Sequence, residues 1–339
     1  MEGKTELALP YDEVRKKIAE AESITILSHI NPDADALGTA LGIYQLLSCN
    51  HKGKKIEVVN ASKVLPRYLD FLPHYKKIKH KMDYKEGLVI TCDSGSPDRL
   101  GFDVSGRELI NIDHHQSNTN YGTVNIVLPK LASSSQAAYV LFKELYRIDR
   151  SAATCFYTAL LSDTRYFTTS SVTAEVLDVA KAFVVAGADP AFVAQNLTQR
   201  KPLSAFRILQ RALASLSLHH EARVASLYVT KEDIAASGAT VPDMDGIVEY
   251  ARELATVEIA CFVMELEEGL RISLRSKSVD VSKVAKAFGG GGHKVAAGFT
   301  VSYAEGVTID QMIGSILEKI EAFRSVSYTH LTLPTKRIV

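Results

Sequence analysis

Short apolar runs alternate with stretches of helical spacing through the first half of the chain. Ile24–Leu27, Ile56–Val59, Leu88–Cys92 and Leu109–Ile112 are largely apolar segments of strand length, the pattern of strands buried on both faces. Tyr11–Ala21 carries Val14 and Ile18 on one side, with Lys and Glu elsewhere, and reads as a helix; so does Ala36–Leu47, after the first strand. A mixed segment with Tyr68 and Phe71 follows the second strand. Ser133–Tyr146, Ala152–Leu161 and Thr173–Ala186 read as further helices, the last stopped by Gly187-Ala188-Asp189-Pro190. Strands alternating with helices predict an α/β fold, a mostly parallel sheet with helices on both faces.

The second half changes order. Phe192–Leu218 has helical spacing with a break at Lys201-Pro202, and from Arg223 the pattern restarts as strand (Val224–Val229) and helix (Gly246–Leu254). Strands Val257–Leu266 and Gly269–Leu274 follow, with Glu267-Glu268-Gly269 as a hairpin turn. Val281, Val284, Ala285 and Phe288 recur at helical spacing before four glycines, and Ile309–Phe323 reads as a closing helix. The expected organisation is a first α/β domain over 1–190, a helical linker over 191–218 and a smaller α/β domain over 219–324. Residues 325–339 lack periodicity and resemble a translated adaptor or cloning remnant, so His330, Lys336 and Arg337 are given no role.

Composition narrows the class. A chain of 339 residues suits about two domains, and 46% apolar with 23% charged residues is ordinary for a soluble globular protein. Lys+Arg and Asp+Glu are each 39, so no global basic field exists to coat long duplex nucleic acid. Any nucleic acid bound should be short or held in a local pocket. Cys49, Cys92, Cys155 and Cys261 form no CxxC pair, which argues against a thiolate zinc site or a disulfide framework and for a reducing compartment. With no signal-like apolar core and no run of bilayer-spanning length, a cytoplasmic location without membrane attachment is expected.

Three of the apolar runs end in acids or histidines. Ser23–Ser28 ends in His29, Gly87–Cys92 in Asp93, and Glu108–Ile112 in Asp113-His114-His115. In an open parallel sheet the ligand crevice lies beyond the carboxyl ends of the strands. Ser28–Gly38 also crowds His29, Asp33 and Asp35 into one strand-to-helix turn. Carboxylates that close repel, so one must take up a proton or a cation must lie between them; helix capping is the other reading of that stretch alone. Asp163, after Ala159-Leu160-Leu161, is a helix-end acid by itself and a ligand candidate in this company.

The set is therefore His29, Asp33, Asp35, Asp93, His114 and Asp163. Carboxylates and imidazoles without a thiolate suit Mn²⁺, or Mg²⁺ and Co²⁺, better than a structural zinc. Six ligands are too many for one ion with open positions and fit two ions sharing a carboxylate, roughly 3.5–4 Å apart. Such a pair acidifies a water and clamps phosphoryl oxygens. Hydrolysis of a phosphate ester is the chemistry this predicts.

These residues carry a family resemblance. His29-x3-Asp33-x-Asp35, Asp93, Asp113-His114-His115 and Asp163 resemble the four motifs of the DHH phosphoesterase superfamily. Gly289-Gly290-Gly291-Gly292-His293-Lys294-Val295-Ala296-Ala297-Gly298-Phe299 resembles the signature of the smaller DHH-associated domain. Size and architecture are similar to the bacterial branch that degrades short oligoribonucleotides and dephosphorylates 3′-phosphoadenosine 5′-phosphate (pAp). The resemblance implies that His29, Asp33 and Asp93 hold one Mn²⁺, and that Asp35, Asp93, His114 and Asp163 hold the other, with Asp93 bridging. It implies that His115 faces the scissile phosphate or the leaving oxygen. Asp113 then orients a neighbouring histidine, or is a buried structural acid.

In the second domain, glycines let backbone N–H groups approach a phosphate because no Cβ blocks the way. Gly290, Gly291 and Gly292 would offer such groups, Arg275 and Ser276 would add a charge-assisted contact to the same phosphate, and His293 would bond a phosphate or stack on a base. Arg99 reads as a substrate-rim residue or a surface arginine. Ser133-Ser134-Ser135 reads as a helix cap or as a donor of helix N-terminal amides to phosphate. The expected activity is release of mononucleotides from oligoribonucleotides of about two to five residues, a range the resemblance implies, and removal of the 3′-phosphate of pAp. A cyclic or linear dinucleotide phosphodiesterase, an inorganic pyrophosphatase of the same superfamily, a longer single-strand DNA exonuclease and a nucleotide-sensing binding protein are the alternatives. A homodimer is compatible with all of these.

Overall fold

The strand Ser23–Ser28 (β1) is buried at every position and lies inside a sheet rather than at its edge. It belongs to a computed structural model that describes residues 9–303 and 306–328, the last five as backbone only. The chain divides between Arg200 and Lys201 into two compact units.

In the first unit, helix α1 (Tyr11–Glu20) precedes β1, and α2 (Ala34–Asn50) joins β1 to β2 (Lys55–Val59). Strands β3 (Leu88–Cys92), β4 (Leu109–Asp113) and β5 (Val124–Val127) follow, then helices α3 (Ser134–Phe142), α4 (Arg150–Asp163), α5 (Ala174–Val185) and α6 (Pro190–Thr198). The five strands run in the order β2-β1-β3-β4-β5, all pairings parallel. The chain moves to one side of β1 for β2 and to the other for β3. The order therefore reverses between β1 and β3, the place where an open parallel sheet forms its crevice. β5 is an addition to the four strands read from the sequence; four residues with Asn125 among them leave too short an apolar run to stand out.

Alternate positions along the strands enter different cores. Ile24, Ile26, Ile90, Ile110 and Ile112 pack with Val14, Leu37, Leu41, Ala137, Leu141 and Phe156 of the helices. Leu27, Val59, Val89 and Leu109 pack on the other side with Val104 and with Leu100 of a 3-10 turn, Pro97–Leu100. Helix α2 is buried over most of its circumference because α4 lies directly against it. A Cβ on Gly38 would stand 2.6 Å from the Cys155 carbonyl oxygen and 2.9 Å from the Ala159 Cβ, and one on Gly42 would stand 2.3 Å from the Phe156 ring. Glycine lets the backbones approach at position 38 and makes room for the Phe156 ring at position 42. The pairing of Gly38 with Ala159 and Gly42 with Phe156 also runs the helices antiparallel. The first turn of α2 and the last residue of α4 consequently meet at one end.

The second unit opens with α7 (Leu203–Ala214), β6 (Ser217–His219), β7 (Val224–Val229), α8 (Lys231–Ser237) and α9 (Ile247–Arg252). It continues through β8 (Ile259–Leu266), β9 (Gly269–Ser276), α10 (Ser282–Ala287), β10 (Gly291–His293), β11 (Ala296–Ser302) and α11 (Ile309–Tyr328). Its six strands run β10-β11-β9-β8-β7-β6, with β7 and β8 parallel and the other pairs antiparallel. The β8–β9 register sets Leu266 opposite Gly269, which makes Glu267-Glu268 the two-residue turn. Cys261, Val263, Ile272 and Leu274 face α10 and α11, whereas Leu227, Phe262 and Met264 face α7 and α9.

The stretch read as a helical linker is two helices. α6 packs on α4 of the first unit and α7 on α8 and β7 of the second. Helix α11 extends to Tyr328, into the segment read as a non-native tail. The rest of that tail, with His330, Lys336 and Arg337, lies outside the described residues. Among the described residues no helix is long and apolar enough to cross a membrane.

Gly38→Val tests the helix contact. The nearest atom is a backbone carbonyl oxygen, which cannot rotate away, so the variant should lose about 1–3 kcal/mol to overpacking. Urea unfolding followed by circular dichroism measures this. A midpoint equal to that of the wild type would show that α4 retreats freely.

Candidate metal centre

Every predicted metal-binding residue of the first unit stands at an element end. His29 follows β1, and Asn31 two residues later adopts φ 54° in the turn that follows. Asp33 is the N-cap of α2, its Oδ1 accepting from the Ala36 N–H at 3.0 Å. Asp35 lies in the first turn of α2. Asp93 follows β3 with φ 56°, its N–H donating to the Ile112 carbonyl at 3.0 Å. Asp113 ends β4, His114 and His115 come next, and Asp163 is the last residue of α4. Capping and cation binding are thus compatible at Asp33.

The structure brings all six together. His29, Asp33 and Asp93 offer ligand atoms within 4.8 Å of one another, and so do Asp35, His114 and Asp163. Asp93 faces both groups: its Oδ2 is 3.5 Å from His29 Nε2, and its Oδ1 is 3.7 Å from His114 Nε2. His114 Nε2 also lies 3.8 Å from Asp35 Oδ2 and 3.6 Å from Asp163 Oδ2. Asp93, His114 and His115 form a third such group.

Both candidate imidazole ligands are aimed by the nitrogen they do not offer. His29 Nδ1 lies 2.8 Å from the Ile30 carbonyl oxygen, and His114 Nδ1 lies 3.3 Å from that of Leu131. A carbonyl only accepts, so each Nδ1 carries a proton, and each Nε2 faces the carboxylates, where it donates to them when protonated and gives its lone pair to a cation when one lies between.

Crowding sets the electrostatics. Asp35 is 2% exposed, and burial, with the charges of Asp93, Asp163 and Asp33, pushes its carboxyl well above the usual carboxylate range. Burial also raises Asp163, to about 7, with Asp93 and Asp33 adding to it and His114 opposing. Asp93 goes the other way, to about 2: burial would raise it, but His29, His114 and His115 surround it. His29 is raised by Asp93 and Asp33 in spite of its burial. Four carboxylates around two preset imidazole lone pairs, mutually repelling and short of positive charge, are a donor set that fits divalent cations.

Several supporting residues were not readable in the sequence. Ser134 N–H donates to Asp35 Oδ2 at 2.7 Å, and its hydroxyl donates to Asp93 Oδ1 at 2.9 Å. Ser135 N–H (3.1 Å) and the Thr39 hydroxyl (3.2 Å) both reach Asp35 Oδ1. Of the two readings of these serines, the helix cap holds and the offer of amides to phosphate does not. Ser133 caps α3 by accepting from Gln136 N–H, and the next two amides are spent on Asp35. The signal existed, since the serines open a helix, but their partner is a side chain about a hundred residues away.

Asp113 holds His115: its Oδ1 lies 2.7 Å from Nδ1, and Asn118 Nδ2 donates to its other oxygen. Burial lowers the His115 pKa, but the Asp113 bond and the charges of Asp93 and Asp113 prevail and carry it to about 9. Arg99, exposed on the 3-10 turn, lowers that value slightly through its charge, and its carbonyl accepts from Ile30 N–H at 2.8 Å. It stands on the same rim.

The remaining predicted residues belong to the second unit. Arg275 Nε donates to Glu249 Oε1 at 3.0 Å and its Nη1 to the Leu274 carbonyl at 3.0 Å. Ser276 is 1% exposed, with its hydroxyl donating to the Val279 carbonyl. Burial and that bond remove it from a ligand surface. The glycines are not a loose loop. Gly289 and Gly290 N–H groups cap α10 through the Lys286 and Ala285 carbonyls, and Gly291–His293 pairs with β11. A Cβ on Gly290 or Gly292 would run into β11 backbone, whereas one on Gly291 would meet open space. His293 is exposed beside it.

Residues 23–160 match the DHH family N-terminal domain, and residues 222–325 match the DHHA1 domain. The chain is 32% identical to the bifunctional oligoribonuclease and PAP phosphatase of Thermus thermophilus, over 88% of this chain and 89% of that protein. It is 25% identical to the protein of that name from Bacillus subtilis, over 85% and 92% of the two chains. Among solved structures, an exopolyphosphatase-related protein from Bacteroides fragilis shares the fold, with a TM-score of 0.85 at 24% identity over 93% of this chain and 96% of that one.

Two outcomes follow from the geometry. The raised carboxyls of Asp163 and Asp35 favour the metal-free protein below the usual aspartate range, and this advantage is lost as pH rises, for Asp163 through about 7. A cation replaces those protons, so the rise in melting temperature on adding Mn²⁺ or Mg²⁺ should be larger at pH 8 than at pH 5; equal increments would contradict it. Ser134→Ala should weaken cation affinity by about tenfold in isothermal titration, the scale of a lost ligand-orienting bond. Unchanged affinity would show that Asp93 needs no help.

Proposed function

Because this chain belongs to the DHH phosphoesterase family, we propose that it hydrolyses short oligoribonucleotides to mononucleotides and removes the 3′-phosphate of pAp. The observation that carries this reading is Asp93, set between the His29–Asp33 group and the Asp35–His114–Asp163 group. Two Mn²⁺ ions held by those groups, with Asp93 common to both, would supply an acidified water and positive charge for phosphoryl oxygens. The substrates follow from the named activities of the Thermus and Bacillus relatives.

The chain's own residues divide the remaining work. Ser134 and Ser135 fix Asp35 in place, and their N–H groups favour its carboxylate form against the burial that raises it. Asp113 holds His115 as an imidazolium whose Nδ1–H is tied down, which leaves Nε2–H to give a proton to the departing oxygen. Arg99 adds a positive charge at the rim for a substrate phosphate. In the second unit Gly291, His293 and Arg275 are the nucleotide contacts; Gly290 and Gly292 act by keeping that strand close to β11, and Ser276 takes no part. Equal numbers of basic and acidic residues favour substrates that need a pocket, not a long basic track.

A substrate panel with Mn²⁺-loaded protein tests this: dinucleotide RNA, pAp, a cyclic dinucleotide, pyrophosphate and long single-stranded DNA. Dinucleotide RNA and pAp should be the best substrates. Asp93→Asn should lower kcat by about 10²–10³-fold or more, the scale of losing a principal electrostatic stabiliser, with an unchanged circular dichroism spectrum. Intact dinucleotide and pAp after incubation with the loaded wild type would refute the reading.

A further inference from the structure

The backbone just past Asp163 is strained. Arg165, Tyr166 and Phe167 have φ of 46°, 59° and 62°, three consecutive non-glycine residues in the left-handed region. There the Cβ crowds the following carbonyl oxygen, and glycine or asparagine would be easier to accommodate. His220, Glu221 and Ala222 form a similar run, but they close the hairpin between β6 and β7, where left-handed residues match the strand twist. No hairpin accounts for 165–167.

The turn is firmly held. The buried Thr164 hydroxyl donates to the Leu160 carbonyl at 2.7 Å, and the Thr164 carbonyl accepts from Thr168 N–H at 2.9 Å. Tyr166 N–H donates to the Leu161 carbonyl at 2.8 Å. Phe167 has a packing reason to be large: its ring lies 6.4 Å from that of Tyr157, against the core. Tyr166 has no comparable reason, for it is 42% exposed. Chain geometry keeps its Cα within about 11 Å of that of Asp163. Asn31 and Asp93, also left-handed and not glycine, stand at the same rim. Strain gathered at a reactive centre and paired with an exposed aromatic side chain marks a group that is being presented.

We propose that Tyr166 is the platform on which a nucleobase of the substrate stacks at the rim of the metal centre. It is a specificity-determining residue that makes a nucleotide a better substrate than the same phosphate ester without a base. The inference rests on the nucleotide reading above. Stacking on an aromatic face tolerates any base, as an enzyme of short RNA needs.

The test is steady-state kinetics of the Mn²⁺-loaded full chain on a dinucleotide and its abasic counterpart, with thermal melts of each variant. Tyr166→Asn should raise KM for the dinucleotide about tenfold, leave kcat within about twofold and leave KM for the abasic compound unchanged. Its melting temperature should be no lower than that of the wild type, since asparagine tolerates the left-handed backbone. Tyr166→Phe should restore the wild-type KM. A dinucleotide KM unmoved by Tyr166→Asn would overturn the proposal; so would a rise shared by the abasic compound, or one that Phe does not reverse. Failure of the wild type to cleave any dinucleotide would instead refute the nucleotide reading itself.

Discussion

Like charge held close out of water is the constraint on which the first unit is built. Asp35 and Asp93 are almost wholly buried, and each is within reach of another acid. Such an arrangement is unfavourable unless protons or cations intervene. The surroundings answer it in part: helix N-terminal amides and hydroxyls point at Asp35, and three imidazoles surround Asp93. What they leave unanswered is negative charge on the Asp35–Asp163 side. That remainder selects a cation, and it also explains why Asp35 in the turn and Asp163 at a helix end move in the same direction on the pH scale.

Packing holds the charges there. Repulsion would part α2 from α4, but Gly38 lets the helices meet at backbone distance, Gly42 seats the Phe156 ring, and their shared face is buried. Asp35 and Asp163 are carried at the same end of this rigid pair, on the first turn of α2 and the last residue of α4. On the sheet side, Asp93 and His29 leave adjacent parallel strands at the point where strand order reverses. Each acid therefore rides on an element fixed by a core some distance from the charges. Stability is spent at the rim and recovered below it.

The parts of the molecule most legible in the sequence are those in which one residue type implies its neighbours. Four strands of the first sheet are visible as apolar runs, and the acids and histidines that end three of them mark the rim without any knowledge of strand order. β5 is not visible, because Val124–Val127 is only four residues long and is interrupted by Asn125. The glycine run shows the limit differently. Glycine announces backbone freedom but not its purpose, and here Gly289 and Gly290 close a helix while Gly292 lets two strands touch. Ser276 sits beside Arg275 in sequence, yet alternation along β9 sends one side chain inward and leaves the other half-exposed.

The sequence by itself determined the fold class, the two-part organisation, the identity of the six clustered side chains and the chemistry they suit. These depend on composition and on spacing within single elements, which are local properties. Only the tertiary structure decided that Ser134 steadies two acids, that Asp113 grips His115, that Ser276 is shut away and that the chain past Asp163 turns left-handed. Each of those depends on which atoms from distant segments arrive within about 3 Å of one another, or on a backbone conformation that residue identity argues against. No pattern along a single chain encodes such distances, because packing sets them.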